Sequence, residues 1–455
     1  SMADTVQKEN IMGTQKMSQL VLFTGIPLMI SLFINSLYNF VDSMFVSQVS
    51  EKALTALSLA APVQLLVSAL GLGNAVGLNA VISKALGRKD TGEVRRAADA
   101  AIFIALCSWA VIVILCLLFV KYYFAWQSGG DEVIAEYGIQ YLAVCMLFSL
   151  GQMGQWVFDR FVIASGRSGL FLFTLSAASV TNLILDPIFI FGLFGMPRME
   201  TLGAAIATVI GQTVGMFAGI VINRKWNREI PFGFTLRPDR RSIVNILKVG
   251  FPSTLVQILT SFVGILMNSI LITFCSTAVA VYGICIRING ISTVGVHGIT
   301  NGLIPIVAYN YGAEDRKRVS HAIQWSLLYG ALFYLLFFAV LEIILAWVLH
   351  IFEASDFMLE IGIPALRILA FAWLVAIPAL VISAGLQGLS MGMGSMILTM
   401  ARQAVLPLLF AGIFSRLGNL DLLWTGFIFA ELFGIPLAAW LWKKGSGKIQ
   451  GGKLR

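Results

Sequence analysis

Charge is what this chain has least of. Only 12% of its 455 residues are Asp, Glu, Lys or Arg, about half the share of an ordinary soluble domain. A water-facing surface cannot be built from so few charges, which argues against a soluble globular fold. Histidine is scarcer still: His297, His321 and His350 are scattered with no metal-ligand spacing. The five cysteines (Cys107, Cys116, Cys145, Cys275 and Cys285) form no CxxC pair and fall in apolar stretches. They read as small packing residues, with neither a disulfide framework nor a zinc site. Walker A and HExxH strings are absent, so a nucleotide-driven pump has no support, and no nucleophile–base constellation points to an intramembrane enzyme. The chain is therefore not read as an enzyme, and no cofactor is expected. The polar opening residues are not followed by a short apolar core with a small-residue cleavage site, so no removable signal peptide is expected. The ~10-residue alternating segments of a membrane β-barrel are missing too.

What is present is apolar and long. Hydrophobic residues make up 58% of the chain, and the mean hydropathy is +0.87. Repeated runs of about 20 apolar residues define a polytopic all-α membrane protein. Twelve spans are expected, at 19–46, 53–80, 98–121, 134–164, 169–193, 201–222, 244–273, 277–307, 321–349, 357–387, 393–416 and 421–442. They group into a first lobe (19–222), a polar inter-lobe linker (223–243) and a second lobe (244–442), between an N-terminal segment (1–18) and a basic tail (443–455).

The formal net charge of +8 is unevenly spread. Lys and Arg gather in alternate loops, "SKALGRKDTGEVRR" (83–96), "NRKWNREIPFGFTLRPDRRS" (223–242) and "EDRKR" (314–318), and in the tail. The opposite loops hold only Lys52, Lys121, Arg198 and Arg416. This is the positive-inside pattern, with both termini cytoplasmic, rather than a nucleic-acid footprint. The halves also repeat. "GIP" at 25–27 and "GFP" at 250–252 lie 225 apart, as do Gly87 in "ALGRKDTGEVRRA" and Gly312 in "NYGAEDRKRVSHA". Six spans per repeat is even, so both halves enter from the same side and are related by an axis along the membrane normal, a transporter architecture. Glycines four apart (Gly73/Gly77, Gly211/Gly215/Gly219, Gly298/Gly302) mark faces for close helix packing.

Against this background, charges inside the spans stand out, since each costs about 2.5–3.5 kcal/mol at mid-bilayer on insertion scales. In "INSLYNFVD", Asn35, Tyr38 and Asn39 lie seven, four and three residues before Asp42, giving a polar stripe. Asp42 is either part of a functional site or an interhelical anchor. In "TNLILDPIF", Asn182 and Asp186 are four apart and Pro187 deprives the Leu183 carbonyl of its helical partner. A kinked helix offering a carbonyl, an amide and a carboxylate suits a proton or a hard cation such as Na+; the alternative is that Asp186 caps the half-helix after the kink. Thr208 could add a hydroxyl. Asp159 and Arg160 are expected to form a structural ion pair, Arg287 to hold the second lobe together or offset a carboxylate there, and Glu342 and Glu431 to snorkel from span ends.

The strings "SLYNFVDSMFVSQV", "NLILDPIFIFGLFG", "YGICIRINGI…GITNGLIPIVAYNYGAEDRKRV" and "ARQAVLPLLF" resemble, in order and over essentially the whole chain, the multidrug and toxic compound extrusion (MATE) transporters, in particular the bacterial MepA/DinF-like branch. The resemblance implies twelve helices in two pseudo-symmetric six-helix lobes around a central cavity. It implies export of organic cations driven by Na+ or H+ re-entry, from a monomer in the bacterial cytoplasmic membrane. It places the cation site, including a Na+ if that is the ion, on Asp42, Asn182 and Asp186, with Thr208. Asn35, Tyr38, Asn39, Asp159, Arg160, Arg287 and Asn301 are the cavity candidates. One departure is "DRFVIASG", where the family often has "NNFVRADG"-like strings, so Asp159 and Arg160 stand where amides are usual. The alternatives are a lipid-linked glycan flippase of the same superfamily, expected to have a more basic cavity, and a major-facilitator transporter, which "NLILDP" fits poorly.

Overall fold

The computed structural model describes residues 10–271, 273–351 and 356–450. In chain order the α-helices are α1 (Ile11–Thr14), α2 (Met17–Ser47), α3 (Glu51–Gly87), α4 (Thr91–Gln127), α5 (Glu132–Leu147), α6 (Leu150–Ala164), α7 (Phe171–Phe191), α8 (Thr201–Trp226) and α9 (Arg240–Leu271). They continue as α10 (Ser276–Ser292), α11 (Val294–Gly312), α12 (Arg316–Ile351), α13 (Asp356–Val375), α14 (Ile377–Gly388), α15 (Gly392–Met400), α16 (Leu406–Ser415) and α17 (Leu420–Gln450). A π-helical turn, Ala401–Val405, joins α15 to α16. No strand occurs among the described residues.

Among the described residues ten stretches are long and apolar enough to span a membrane, and α5 with α6, bent by 46° at their junction, make an eleventh. The pair α10 and α11, parted only by Thr293, completes twelve. The chain is therefore a multi-pass membrane protein. Several helices outrun the apolar runs that predict them: α3 continues to Gly87 and α4 begins at Thr91. Charged residues such as Lys84 and Glu93 are good helix formers, so the helix persists after the hydropathy stops. Side-chain caps fix the starts. Asp90 Oδ1 accepts from the Glu93 N–H at 3.1 Å, and Asp131 Oδ1 from that of Val133 at 3.0 Å. Asp131 also meets Lys52 Nζ at 3.0 Å, a contact that holds its carboxyl below the usual range. The left-handed Gly192 (φ 74°) ends α7.

The helices form two compact units. One is Ile30–Thr254; the other is the chain up to Met29 together with the chain from Leu255 onward. The borders fall inside α2 and α9, three residues after Pro27 and Pro252, and so 225 residues apart.

In the first unit, the start of α9 packs on α3. Thr254 Oγ1 donates to the Ala69 carbonyl at 2.9 Å, and a Cβ at Gly73 would lie 2.9 Å from the Gly250 carbonyl oxygen. A continuous apolar core runs through α3 to α6, around Leu78, Ile82, Ile104, Phe124, Leu142 and Phe161. The 223–243 segment is fastened to this unit. Asn227 accepts from Arg167 Nη1 at 2.6 Å and donates to the Phe161 carbonyl at 3.1 Å, while Ile230 and Phe232 are buried.

In the second unit, the start of α2 packs on α11 in the same manner. A Cβ at Gly298 would lie 3.0 Å from the Gly25 carbonyl oxygen and 2.8 Å from the Met29 nitrogen. Arg318 clasps the opening segment by donating to the carbonyls of Met12 (2.8 Å) and Gln15 (2.9 Å), with Asn310 donating to Met12 at 2.9 Å. The 225-residue repeat is carried into backbone detail: Lys89 (φ 58°) and Glu314 (φ 59°) take the same left-handed turn in the two loops. All five cysteines are free thiols.

Candidate functional site

The helix α7 buries Thr174, Ala178, Asn182, Asp186 and Ile190, a stripe repeating every four residues. Glycines on α8 let it come close: a Cβ at Gly211 would sit 2.8 Å from the Ala178 carbonyl oxygen and 3.1 Å from Asn182 Cβ. This approach brings Thr208 of α8 to within 3.3 Å of the Asn182 amide. From the other side, Tyr38 of α2 places its hydroxyl 2.6 Å from the same amide.

Asn182 is fully engaged when its nitrogen faces Asp186, donating to Oδ2 at 2.9 Å and Oδ1 at 3.2 Å, and its oxygen accepts from Tyr38. Thr208 has one hydroxyl proton and two acceptors in reach, the Asn182 oxygen at 3.3 Å and the Ala204 carbonyl at 2.9 Å. Asp186, fully buried, lies against the buried carboxyl of Asp42 on α2. Two carboxyl groups in such contact need a proton or a cation between them, because bare like charges repel strongly away from water. Asp42 keeps a second oxygen, Oδ1, buried and without a partner. Asp42, Asp186, Asn182, Tyr38 and Thr208 thus form an all-oxygen set, apart from one amide nitrogen, of the type a proton or hard cation takes.

The structure gathers four expected site residues, Asp42, Asn182, Asp186 and Thr208, and adds Tyr38 as the link between helices. Asn35 and Asn39 are exposed on α2 and do not join them. The helix runs unbroken through Pro187 to Phe191, so Asp186 caps nothing. The expected Asp159–Arg160 ion pair does not form. Asp159 is buried and accepts from Thr174 Oγ1 at 2.7 Å, and no ion pair of Arg160 occurs among the described residues. Adjacent residues on a helix point about 100° apart, so one partner faces α7 and the other turns away. Thr174 precedes Asp186 by twelve residues, about 18 Å of helix, which puts Asp159 well away from the acid pair.

In the second unit Asn301 is half-buried, and the side chain of Arg287 lies outside the described residues. Glu431 does not snorkel. It is buried on α17, 2.9 Å from the equally buried Arg402 on the π-helical turn. Glu431 stands eleven residues before the end of the predicted 421–442 span, at its middle, and the signal was a mid-span Arg and a mid-span Glu in neighbouring spans. Glu342 pairs with Arg367 at 3.1 Å, with both groups partly exposed.

The MatE family model matches residues 27–188 and 252–413, two stretches 225 residues apart that cover more than half of the chain. The chain belongs to the MatE family. It is 26% identical over 428 residues to the multidrug export protein MepA of Staphylococcus aureus (strain MSSA476), covering 91% of this chain and 90% of that protein. MepA of Staphylococcus haemolyticus (strain JCSC1435) is 24% identical over 405 residues, 88% of each. A solved structure described as the outward-facing conformation of a multidrug resistance MATE family transporter of the MOP superfamily superposes with a TM-score of 0.86 at 25% identity, covering 97% of this chain and 98% of that one. The twelve-helix MATE fold and the transporter family follow from these matches.

Proposed function

We propose that this MATE-family chain is a secondary active multidrug exporter, moving cationic amphipathic small molecules out of the cell in exchange for Na+ or H+. The observation that carries the reading is the buried contact of Asp42 with Asp186, held from behind by Asn182, Tyr38 and Thr208. The relatives named multidrug export proteins supply the substrate class. The basic loops support a plasma-membrane orientation with both termini cytoplasmic.

In this mechanism the ion enters between the two carboxyls, with Asp42 Oδ1 available as a further acceptor. A proton would be shared across the existing contact; Na+ would draw in the Tyr38 and Thr208 oxygens. Either event changes the charge of the pocket and the spacing of α2 against α7, so the two global states are stabilised unequally. Drug and ion then disfavour each other's binding by the same free energy, which is the condition for antiport.

The test is dye efflux from proteoliposomes under an imposed Na+ gradient and, separately, an imposed pH gradient. Asp42→Asn and Asp186→Asn are each expected to abolish gradient-driven efflux while the purified protein keeps its unfolding midpoint. Wild-type rates in both variants under both gradients would overturn the reading.

A further inference from the structure

Away from the acid pair, the first unit contains a second group of polar atoms that the coupling reading leaves unused. From Gly151 to Ala164 every residue of α6 is buried except Gln152, Trp156 and Arg160, a single stripe four residues apart. An amide, an indole and a guanidinium thus occupy the one accessible face of an otherwise enclosed helix. Arg160 Nη1 lies beneath the surface with no hydrogen-bond partner. Asp159, its neighbour in sequence, is held by Thr174 on another side.

What stands level with Arg160 is fixed by the register of α3 against α6. Near one end, Gly71 lies against Met153 and Trp156; a Cβ there would be 3.2 Å from Met153 Sδ. Near the other end, Ser83 Oγ donates to the Ala164 carbonyl at 2.7 Å. Numbers rise together along both helices, so the pair is parallel. Asn79 is one turn before Ser83, and Arg160 is one turn before Ala164, so the two stand at the same level along the helix pair. Asn79 is completely buried, and neither its Nδ2 nor its Oδ1 has a hydrogen-bond partner. Buried polar groups are rarely left this way, and a guanidinium least of all.

We propose that Arg160 and Asn79, with the Trp156 ring beside them, form a subsite for an anionic group, carboxylate or phosphate, borne on an aromatic or apolar body. The guanidinium supplies charge and paired donors that match a planar carboxylate or a phosphate. The Asn79 amide adds a donor from the facing helix, and the indole offers a flat apolar surface. The transport reading is needed only for its consequence: substrates bearing an acid beside their cationic centre, or lipids with an anionic headgroup, would be held here.

The experiment is equilibrium binding of 2-naphthoate, with methyl 2-naphthoate as the neutral control, to the full chain in phosphatidylcholine nanodiscs. Wild type should prefer the acid over the ester at least about tenfold, a difference of ~1.4 kcal/mol. Arg160→Gln should erase the preference, and Arg160→Lys should retain part of it. Asn79→Leu, which removes two unpartnered buried groups and should fold readily, should reduce it several-fold. Repeating the measurement with phosphatidylglycerol present separates the sources. Competition by that lipid in wild type assigns the subsite to lipid headgroups, and its absence assigns it to a soluble amphipath; both support the subsite. Equal binding of acid and ester to wild type overturns it, as does a preference that survives in both Arg160→Gln and Asn79→Leu. Binding is read without an ion gradient, so failure of the antiport reading and failure of this one are separate results.

Discussion

At Asn182 one amide meets Tyr38, Thr208 and both oxygens of Asp186, and through Asp186 it reaches Asp42. Removing the Tyr38 hydroxyl by Tyr38→Phe takes away one donor and leaves the ring in place. A single neutral hydrogen bond is worth about 1 kcal/mol net. The expected outcome is a several-fold rise in the Na+ or H+ concentration needed for half-maximal dye efflux, with little change in the maximal rate. Most of this site was legible in the sequence. Asn182 and Asp186 are one turn apart and share a face whatever the fold does, and Asp42 is too costly in lipid to be incidental. The stripe on α2 was legible only in part. At 100° per residue, Tyr38 points about 40° to one side of Asp42 and Asn39 about 60° to the other. Periodicity alone does not say on which side α7 packs, and the structure chooses Tyr38.

The buried Arg402–Glu431 pair sets the opposite lesson, because Glu431 taken singly reads as a snorkelling side chain. Only the packing of α17 against the π-helical turn makes them partners. Glu431→Gln would leave Arg402 charged and unpaired, and breaking such a pair costs about 3–5 kcal/mol. A large fall in unfolding midpoint is expected for Glu431→Gln, with most of it restored in the double variant Arg402→Met/Glu431→Leu. A double variant as unstable as the single one would show that the pair does not account for the loss.

Between whole elements, the approach of helices is set by glycine. Gly73 faces Gly250 in one unit and Gly298 faces Gly25 in the other, contacts related by the same 225-residue shift. The glycine spacing announced tight packing, but the partner helices were invisible because each lies more than 170 residues away in sequence. Gly73→Ala and Gly298→Ala would each press a methyl into a facing backbone, an overpacking cost of about 1–3 kcal/mol. Gly412, with open space around its Cβ position, is the control. Gly412→Ala should be neutral or stabilising by up to about 1 kcal/mol through helix propensity. Unfolding midpoints in detergent would check all three.

At the scale of the molecule, the repeat legible from two short strings extends through matched helix ends, matched left-handed turns and matched glycine contacts. What the strings could not reveal is which segments share a unit, because membership depends on packing and not on order. The chain up to Met29 belongs with the residues from Leu255 onward, and the start of α9 belongs with the first unit. Cut within the 223–243 linker, each fragment would therefore carry an opening segment that its own unit does not use and would lack the one it does. Residues 1–230 produced alone are expected to be rapidly degraded, and co-production with 231–455 to restore both fragments, as immunoblots of membranes would record. The same exchange constrains ancestry by duplication. A single six-helix chain with this pattern would have completed itself by lending its first segment to an identical neighbour, as in a domain-swapped dimer. Fusing two copies end to end would have kept that loan and made it permanent.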